Sequence, residues 1–361
     1  MNQVTIIGAS AVGLITAREC ASRGIQTTVL EEHNTVGKFG KCTGLYSYKG
    51  RKLIRAEHQH LALNDLYGGV VKAGSQEIVI RRRTPQAAVF NREEFDVACA
   101  RDAQNAGARI LLSQPATAIK HDFVYHTTTP NANHPSLVLV GADGAQSFTA
   151  KSLGFPSIPD NKFVLAWEAE YEGANIEDEK LVDVILDPVN FPGFFAWSVP
   201  TSRNSVKIGF GTSRKTNLRP SITTLLARPD VKNTLAKAVK KREFAALIPL
   251  AVRTQTQKQN CLLVGDAAGQ VKATTGGGVV FGGLCAHLAA SSVADYFDGK
   301  ALDYETRWRA KYEKPLKTHA SLRRLYNSLD ENLLHAGMTL ARLGGFSHFA
   351  QKTADMDFVF S

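Results

Sequence analysis

Apolar residues recur along this chain in two rhythms. The first is a set of short runs: Val4–Ile7, Thr27–Leu30, Arg109–Leu112, Ala116–Ile119, Leu137–Val140 and Cys261–Val264. Runs of this length, closed off by glycine or polar residues, read as strands, and Val4–Ile7 and Leu137–Val140 suit burial within the sheet, the first on both faces. The second rhythm is alternation. Val164, Ala166, Glu168 and Glu170, then Val182, Val184 and Leu186, then Val206, Ile208 and Phe210 share the even register, which predicts an antiparallel sheet over Phe163–Gly211. Residues 47–90 carry little helical period. Their short β-like pieces, Glu77–Ile80 and Ala87–Phe90, read as strands of a second sheet.

Helical stretches fall between these. Asn91 is a fitting N-cap for a helix running to about Ala106, with Phe95, Cys99, Ala103 and Ala106 as its apolar stripe and Gly107 as its stop. Ser147–Leu153 and Ser221–Val239 also read as helical. Residues 303–352 form a helical tail whose Leu322, Leu325, Leu329, Leu333 and Leu340 make an apolar face assigned to the core.

Val4 to Glu32 combines strand, glycine turn, helix and strand. Gly8-Ala-Ser10-Ala-Val12-Gly13 fills the slots of the G-x-G-x-x-G fingerprint for dinucleotides. Gly8 permits the tight turn, and Gly13 lets the helix pack close on the strand. The helix N-terminus offers N–H groups to a pyrophosphate. Glu31 ends the second strand, where a carboxylate can accept both hydroxyls of an adenosine ribose. Ser10 replaces the second glycine and leaves the backbone less open. A second sharp pattern is Cys261-Leu-Leu-Val-Gly-Asp266-Ala-Ala-Gly269, a strand that delivers an acid between glycines. Ala273-Thr-Thr-Gly276-Gly277-Gly278-Val279-Val then opens a helix with a bare N-terminus.

Length and charge narrow the class. The 361 residues allow one large domain or two intimate ones. The formal charge of +10 suits a phosphorylated ligand, an anionic membrane surface or a nucleic acid. No recognition motif accompanies the charge, so nucleic acid is set aside. The cations cluster at Lys38, Lys41, Lys49, Arg51, Lys52 and Arg55, at Arg81–Arg83, and at Lys232, Lys237, Lys240, Lys241 and Arg242. Solvated surface is the plain alternative for each cluster. The cysteines, at 20, 42, 99, 261 and 285, are widely spaced and contain no C-x-x-C, which argues against a metal site or a disulfide framework. Met1 leads straight into a core strand, and no segment reads as a signal peptide or a membrane span, so a cytoplasmic setting is expected.

Two stretches invite chemistry. The loop HNTVGKFGKCTGLYS after Glu31 is broken by Gly37, Gly40 and Gly44, and places Cys42 between Lys41 and Thr43. A thiol near cations is a candidate reactive group, with a small apolar filler as the alternative. Phe191-Pro-Gly-Phe-Phe195-Ala-Trp197-Ser-Val-Pro200 is dense in aromatics and suits a wall against a flat or greasy ligand, or an inter-sheet contact.

The order of Val4–Gly13, Glu31, Arg92 in NREEFD, GADG at 141–144 and GDAAG at 265–269 resembles the FAD-dependent monooxygenase-like flavoproteins. Within them, Gly37 followed by Lys41-Cys42-Thr43-Gly44, the aromatic block and ATTGGG resemble the geranylgeranyl reductase family, whose members saturate prenyl chains. The resemblance covers about residues 1–290. It implies an α/β fold: a Rossmann-like FAD-binding domain at 1–75, 91–160 and 255–300, an interleaved antiparallel β-sheet substrate domain at 76–90 and 161–254, and C-terminal helices at 301–361. It implies FAD contacts at Gly8, Ser10, Val12, Gly13, Glu31, Glu32, Arg92, Ala116, Asp266, Gly276, Gly277, Gly278 and Val279. Cys42, Thr43 and Gly44 would sit beside the flavin ring, with Cys42 as proton donor or packing wall. Phe195, Trp197 and Pro200 resemble the family's Tyr-x-Trp-x-Phe-Pro block at the substrate site, and Lys41 joins them. Phe195 replaces Tyr and Val199 replaces Phe, which removes a phenol hydroxyl and widens the pocket.

The activity so implied is hydride transfer from reduced flavin to a C=C bond of a long-chain isoprenoid lipid or prenyl diphosphate. The cationic clusters at 38–55 and 81–83 would hold a phosphate head, and the chain would touch an anionic bilayer only peripherally. The electron donor is left open among ferredoxin, NADPH and NADH. A flavin hydroxylase and a non-catalytic FAD-stabilised lipid-binding protein are the alternatives.

Overall fold

The computed structural model describes residues 2–38, 40–214, 216–344, 350–351 and 355–358. Its main sheet runs in the order Gln257–Lys258, Cys261–Leu263, Ala132–Gly141, Asn2–Ile7, Thr27–Leu30 and Arg109–Leu111. The strand Asn2–Ile7 lies parallel between Thr27–Leu30 and Ala132–Gly141, and Ala132–Gly141 in turn lies parallel to Cys261–Leu263. Val4, Ile6, Val29, Val138, Val140 and Leu262 are fully buried, as continuous apolar runs in a sheet covered on both faces should be. The strands are in step: Ile7 pairs with both Leu30 and Gly141, and Gly141 pairs with Leu263. Four carboxyl ends therefore finish at one edge. They release Gly8, Glu31, Ala142 and Val264 together, which is where ligands bind in open α/β sheets.

Three helices back this sheet. Ala11–Ala21 packs against Val279–Phe297 and Arg92–Asn105. A Cβ on Gly282 would stand 2.7 Å from a Val12 methyl, so glycine sets how closely the first two helices approach. Among the described residues, Val279–Phe297 is the one helix long and apolar enough to cross a membrane, and most of it is buried within this core. The five cysteines are free, and all but Cys42 are buried.

The second sheet has seven strands in the order Val239–Pro249, Phe163–Glu172, Ser205–Thr212, Ala196–Pro200, Leu181–Ile185, Gly68–Ala73 and Gln76–Arg81. All neighbours are antiparallel except Leu181–Ile185 with Gly68–Ala73. A small third sheet, Leu45–Ser47, Ala87–Phe90 and Ala62–Leu66, joins the two.

Several expectations are corrected. Gly68–Ala73, placed with the nucleotide unit, runs in the seven-stranded sheet beside Gln76–Arg81, whereas Ala87–Phe90 belongs to the small sheet. The helix expected over Ser221–Val239 is two short ones, Arg219–Ala227 and Pro229–Thr234, because Pro229 disfavours helical backbone at the residue before it. Val239 instead opens an eleven-residue edge strand. Its polar start, Lys240-Lys241-Arg242, is charge of the kind that discourages edge pairing, and it masks the strand pattern. In the C-terminal helices, Lys314–Asn327 and Glu331–Leu343, three of the five leucines assigned to the core face outward, while Leu322 is half-buried and Leu329, just after the first helix, packs as expected. Leu325, Leu333 and Leu340 are 61%, 55% and 70% exposed. The stripe that packs is Leu334, Met338 and Ala341, against Ala73 and Ile78 of the hairpin.

Glu19 anchors the first helix from inside. Its carboxylate is 3% exposed and meets Arg18 and Arg23 at 2.9 Å and His287 Nδ1 at 3.1 Å. Burial alone would raise its pKa. The hydrogen bonds from His287 and Arg23, with the charges of His287 and Arg18, outweigh burial and hold the group well below the usual carboxylate range. A depressed carboxylate contributes stability that is complete above its unfolded pKa, about 4.5, and is lost as pH falls toward the folded value. The urea midpoint should therefore drop as pH is lowered below about 4.5. E19Q should cost about 3 kcal/mol at neutral pH and flatten that acid limb. Gly8 offers a second check. Its φ is +105°, and a Cβ there would stand 2.5 Å from the Ala142 carbonyl oxygen. Gly8→Ala should lower stability by about 1–3 kcal/mol in urea denaturation and weaken dinucleotide binding in the same preparation.

Candidate active site

The glycine turn works through backbone contact. Gly8 presses on the Ala142 carbonyl, and a Cβ on Gly13 would strike the Gly8 carbonyl. Ser10 caps the helix Ala11–Ala21 in extended conformation but makes no cap hydrogen bond to it. Its hydroxyl instead accepts from Arg92 Nη2 at 2.5 Å, while Arg92 Nε donates to Asp96 at 2.9 Å. The serine that departs from the fingerprint thus positions a guanidinium at the helix N-terminus. Both features favour a diphosphate there. Glu31 Oε2 accepts from the Ala9 amide at 2.8 Å, and Oε1 accepts from the His33 amide at 3.1 Å. Oε1 also lies 2.5 Å from His33 Nδ1, so Oε2 is the oxygen that keeps a lone pair for a ribose hydroxyl. The Gln114 amide donates to the Glu31 carbonyl at 2.8 Å, which brings Pro115 and Ala116 to the same end of the groove.

Asp266 follows the Cys261–Leu263 strand in a single tight turn, Gly265–Ala268. Burial raises its pKa against the opposing charge of Arg92. Among the described residues no hydrogen bond reaches its carboxylate, and it faces the groove. A Cβ on Gly278 would stand 2.5 Å from Asp266 Oδ1, so only glycine leaves that carboxylate its place. Gly278 caps the nineteen-residue helix Val279–Phe297 with no side chain over the amides. The unpartnered carboxylate, the bare amides and the Arg92–Ser10 pair fit a dinucleotide whose sugar chain and ring need a hydroxyl acceptor and N–H donors. These residues fit FAD.

One cavity of about 1230 Å³ contains this groove and continues past it. That exceeds the ~300–1,000 Å³ of an ordinary single-ligand site. Its far part is walled by Leu66, Ile80, Val182, Val184, Phe194, Phe195, Trp197, Val199, Phe244 and Ile248, most of them from the seven-stranded sheet. Between the two parts stand Lys41, Cys42 and Thr43 on one side and Thr275–Val280 on another. Cys42 Sγ lies 3.7 Å from the Tyr46 hydroxyl and accepts the Gly44 amide at 3.4 Å. The C-terminal residues Asp355–Asp357 close a third side. Asp357 is pinned there by Lys272 Nζ at 2.5 Å, with both side chains about fully buried, and by the Ser47 hydroxyl.

The expected site residues do not all behave alike. Gly8, Ser10, Val12, Glu31, Glu32, Lys41, Cys42, Thr43, Arg92, Ala116, Asp266, Gly276–Gly278, Val279, Phe195 and Trp197 line the cavity. Gly13 and Gly44 lie beneath its wall. Gly44 has a φ of +77° and sits against the Phe90 carbonyl, so it shapes the loop rather than touching a ligand. Pro200 is a correction. It is off the cavity, paired with Val206 at the strand end, and its carbonyl accepts from Asn64 at 3.1 Å. Arg51 is another. Its guanidinium is buried between the rings of Tyr48 and Phe90 and spent on the Glu57 carbonyl and Gln59. Of the basic clusters, Lys41, Lys49 and Arg82 reach the cavity.

Glu168 was missed. It is 1% exposed, lines the cavity, and accepts from Trp197 Nε1 at 2.8 Å and from the Thr43 hydroxyl. Burial raises its pKa, opposed by the charge of Lys207 and by those two hydrogen bonds. The signal was an acid in the same even register as Val164 and Ala166, both of which face the interior. Lys272 and Asp357 carried no such signal, since they are 85 residues apart.

The chain matches the family described as FAD binding domain over residues 1–304. An uncharacterized protein of Methanocaldococcus jannaschii is 27% identical over 98% of this chain and 92% of that protein. A digeranylgeranylglycerophospholipid reductase of the same organism is 24% identical over 92% of this chain and 88% of its own. A geranylgeranyl bacteriochlorophyll reductase-like structure from Thermoplasma acidophilum superposes with a TM-score of 0.87 at 19% identity, covering 96% of this chain and 91% of that one. A flavin-dependent brominase superposes at 0.79 and 18% identity, covering 97% and 92%, so the fold itself serves more than one chemistry. The names of the reductases agree with the resemblance carried by the motifs. With the glycine turn, the aligned strand ends and the Asp266–Gly278 cradle, they lead to one identification: this chain belongs to the FAD binding domain family, and it is a flavin-dependent oxidoreductase with FAD as its cofactor.

Proposed function

We propose that this chain saturates C=C bonds in the prenyl chains of a lipid or prenyl diphosphate. The observation that carries this reading is the unbroken passage from the dinucleotide groove into a chamber walled by aliphatic and aromatic side chains. Such a wall holds a hydrocarbon by burial and offers few groups that would recognise a polar substrate. Bound FAD supplies a hydride when reduced. The remaining tasks fall to the protein. Phe195, Trp197 and Val199 hold the alkene in register, and the Lys272–Asp357 pair fixes the C-terminal segment that helps keep water out. Cys42 stands at the junction of groove and chamber, where it packs beside the ring or supplies a proton.

The phosphate head is assigned to Arg82 and Lys49. Both line the cavity; Arg82 donates to Gln86 Oε1 at 3.1 Å, and Lys49 meets Asp355 at 3.1 Å. A long-chained substrate with an anionic head accounts for apolar wall and cations together. It also places the protein in the cytoplasm, in peripheral contact with an anionic bilayer.

The test is anaerobic. The FAD-loaded protein is reduced with dithionite and mixed with a geranylgeranyl phospholipid. Flavin reoxidation with a product gain of about two mass units per bond, the hydride plus a proton, is expected. Flavin that stays reduced until oxygen enters, then yields an oxygenated product, would overturn the reading in favour of a hydroxylase. Prenyl lipid that binds without reduction under any donor would leave a lipid-binding protein. A second prediction concerns Cys42. C42S should change turnover or the preference among prenyl substrates at least several-fold in the same assay, and unchanged values of both would remove Cys42 from the chemistry.

A further inference from the structure

We propose that Glu168 is the acid that protonates the substrate double bond. The inference rests on the reductase reading above. An isolated alkene carries no group that would stabilise a carbanion, so hydride alone has nowhere to deliver its electrons. A proton must reach one carbon as the hydride reaches the other.

Glu168 is built for that task by its neighbours. The row across the sheet is Phe244, Glu168, Gly209, Trp197 and Val184. A Cβ on Gly209 would stand 2.7 Å from the Trp197 ring. Glycine there lets the indole cross the intervening strand and donate to Glu168 Oε2 at 2.8 Å. The Thr43 hydroxyl, from the loop that carries Cys42, donates to the same oxygen. With two donors on Oε2, the proton of the neutral acid belongs on Oε1. That oxygen is buried and has no partner among the described residues, while the residue lines the cavity. A buried O–H without an acceptor is costly unless a ligand meets it. Cys42, the other candidate at this junction, already accepts the Gly44 amide and touches the Tyr46 hydroxyl.

The electrostatics suit the product state as well. Lys207 is 5% exposed, donates to the Thr43 carbonyl at 2.8 Å and lies 3.6 Å from Glu170. Its charge stabilises the carboxylate left after proton transfer. On the edge strand Phe244 stands opposite Glu168, and Arg242, next on that face, is engaged with Glu93 and the Gly40 carbonyl. Lys207 and Glu170 are therefore the charged groups that tune the acid. In the step, the Glu168 O–H bond breaks and a C–H bond forms at the less substituted carbon. Positive charge grows on the methyl-bearing carbon, beside the faces of Trp197 and Phe195. Reduced flavin, when bound, would supply the hydride for the second C–H bond. The alkene gains two electrons, the flavin loses two, and water restores the acid after product leaves.

Infrared spectra of the FAD-free protein provide a readout separate from turnover. A protonated-carboxyl band that shifts in D2O should be present at neutral pH and missing in E168Q. In anaerobic single turnover with geranylgeranyl phospholipid, E168Q should slow alkene reduction at least about 100-fold, the range of a lost general acid, with reduction of its flavin by dithionite unchanged. E168D should recover part of the rate. The wild-type rate should fall at alkaline pH, and W197F, which removes a bond that favours the carboxylate, should move that limb to higher pH. A full rate in E168Q, or an alkaline limb that W197F leaves in place with no carboxyl band in the wild type, would overturn the assignment. Failure of the wild type to reduce any prenyl lipid would instead overturn the reading on which it rests.

Discussion

The site depends on backbone approaching backbone more closely than side chains permit. Gly8 leaves its strand at a φ of +105°, against the Ala142 carbonyl, and Gly13 carries the next helix over the Gly8 carbonyl. Once those contacts are made, the parallel strands can finish level. Glu31, Ala142 and Asp266 then arrive at one edge without further design, since each is the residue, or nearly so, at which its strand stops. Gly278 repeats the principle at the other end of the groove. A methyl there would displace the Asp266 carboxylate and cover the amides of Val279–Phe297. Glycines at three points thus produce a polar trench with acceptors and donors already aimed.

The second constraint is the joint between trench and chamber. Thr43 holds it. Its carbonyl takes the Lys207 ammonium at 2.8 Å, and its hydroxyl is given to Glu168. Lys207 also reaches the Phe90 carbonyl at 3.4 Å, in the small sheet. One lysine and one acid from the seven-stranded sheet therefore fix the loop that carries Cys42. Removing either would leave a charge or a hydrogen-bonding group without its partner in a desolvated place, which is why such networks tend to be all or nothing. The chemistry that the site can support is concentrated at this joint, where apolar substrate space meets the polar groove.

Much of this was legible in the chain. Most of the parallel strands, the turn at Gly8–Gly13, Glu31, the Asn91 cap and the Asp266 turn follow from local rules about glycine, capping and strand length, although Leu137–Val140 is part of the longer strand Ala132–Gly141 and Ala116–Ile119 becomes the antiparallel strand Ala118–His121. What was not legible depended on partners distant in sequence. Arg51 reads as a phosphate ligand until Tyr48 and Phe90 close around it. The leucines at 325, 333 and 340 have helical spacing, yet the hairpin Gly68–Arg81 takes the stripe of Leu334 and Met338 instead. The strand Val239–Pro249 hides behind its lysines. Pro200 shares a motif with Trp197 but not its face of the sheet. Glu168 lay in plain alternation with Val164 and Ala166, and only the packing of Trp197 over Gly209 reveals that its burial has a purpose.

The most direct test of the account is a crystal structure of the protein with FAD and a saturated isoprenoid phospholipid bound together. The flavin ring should lie between Cys42–Thr43 and Gly276–Val279, with the chain running along Trp197 and Phe195 and a chain carbon against Glu168. A lipid seated elsewhere on the surface, with the chamber beside the ring empty or collapsed, would contradict it.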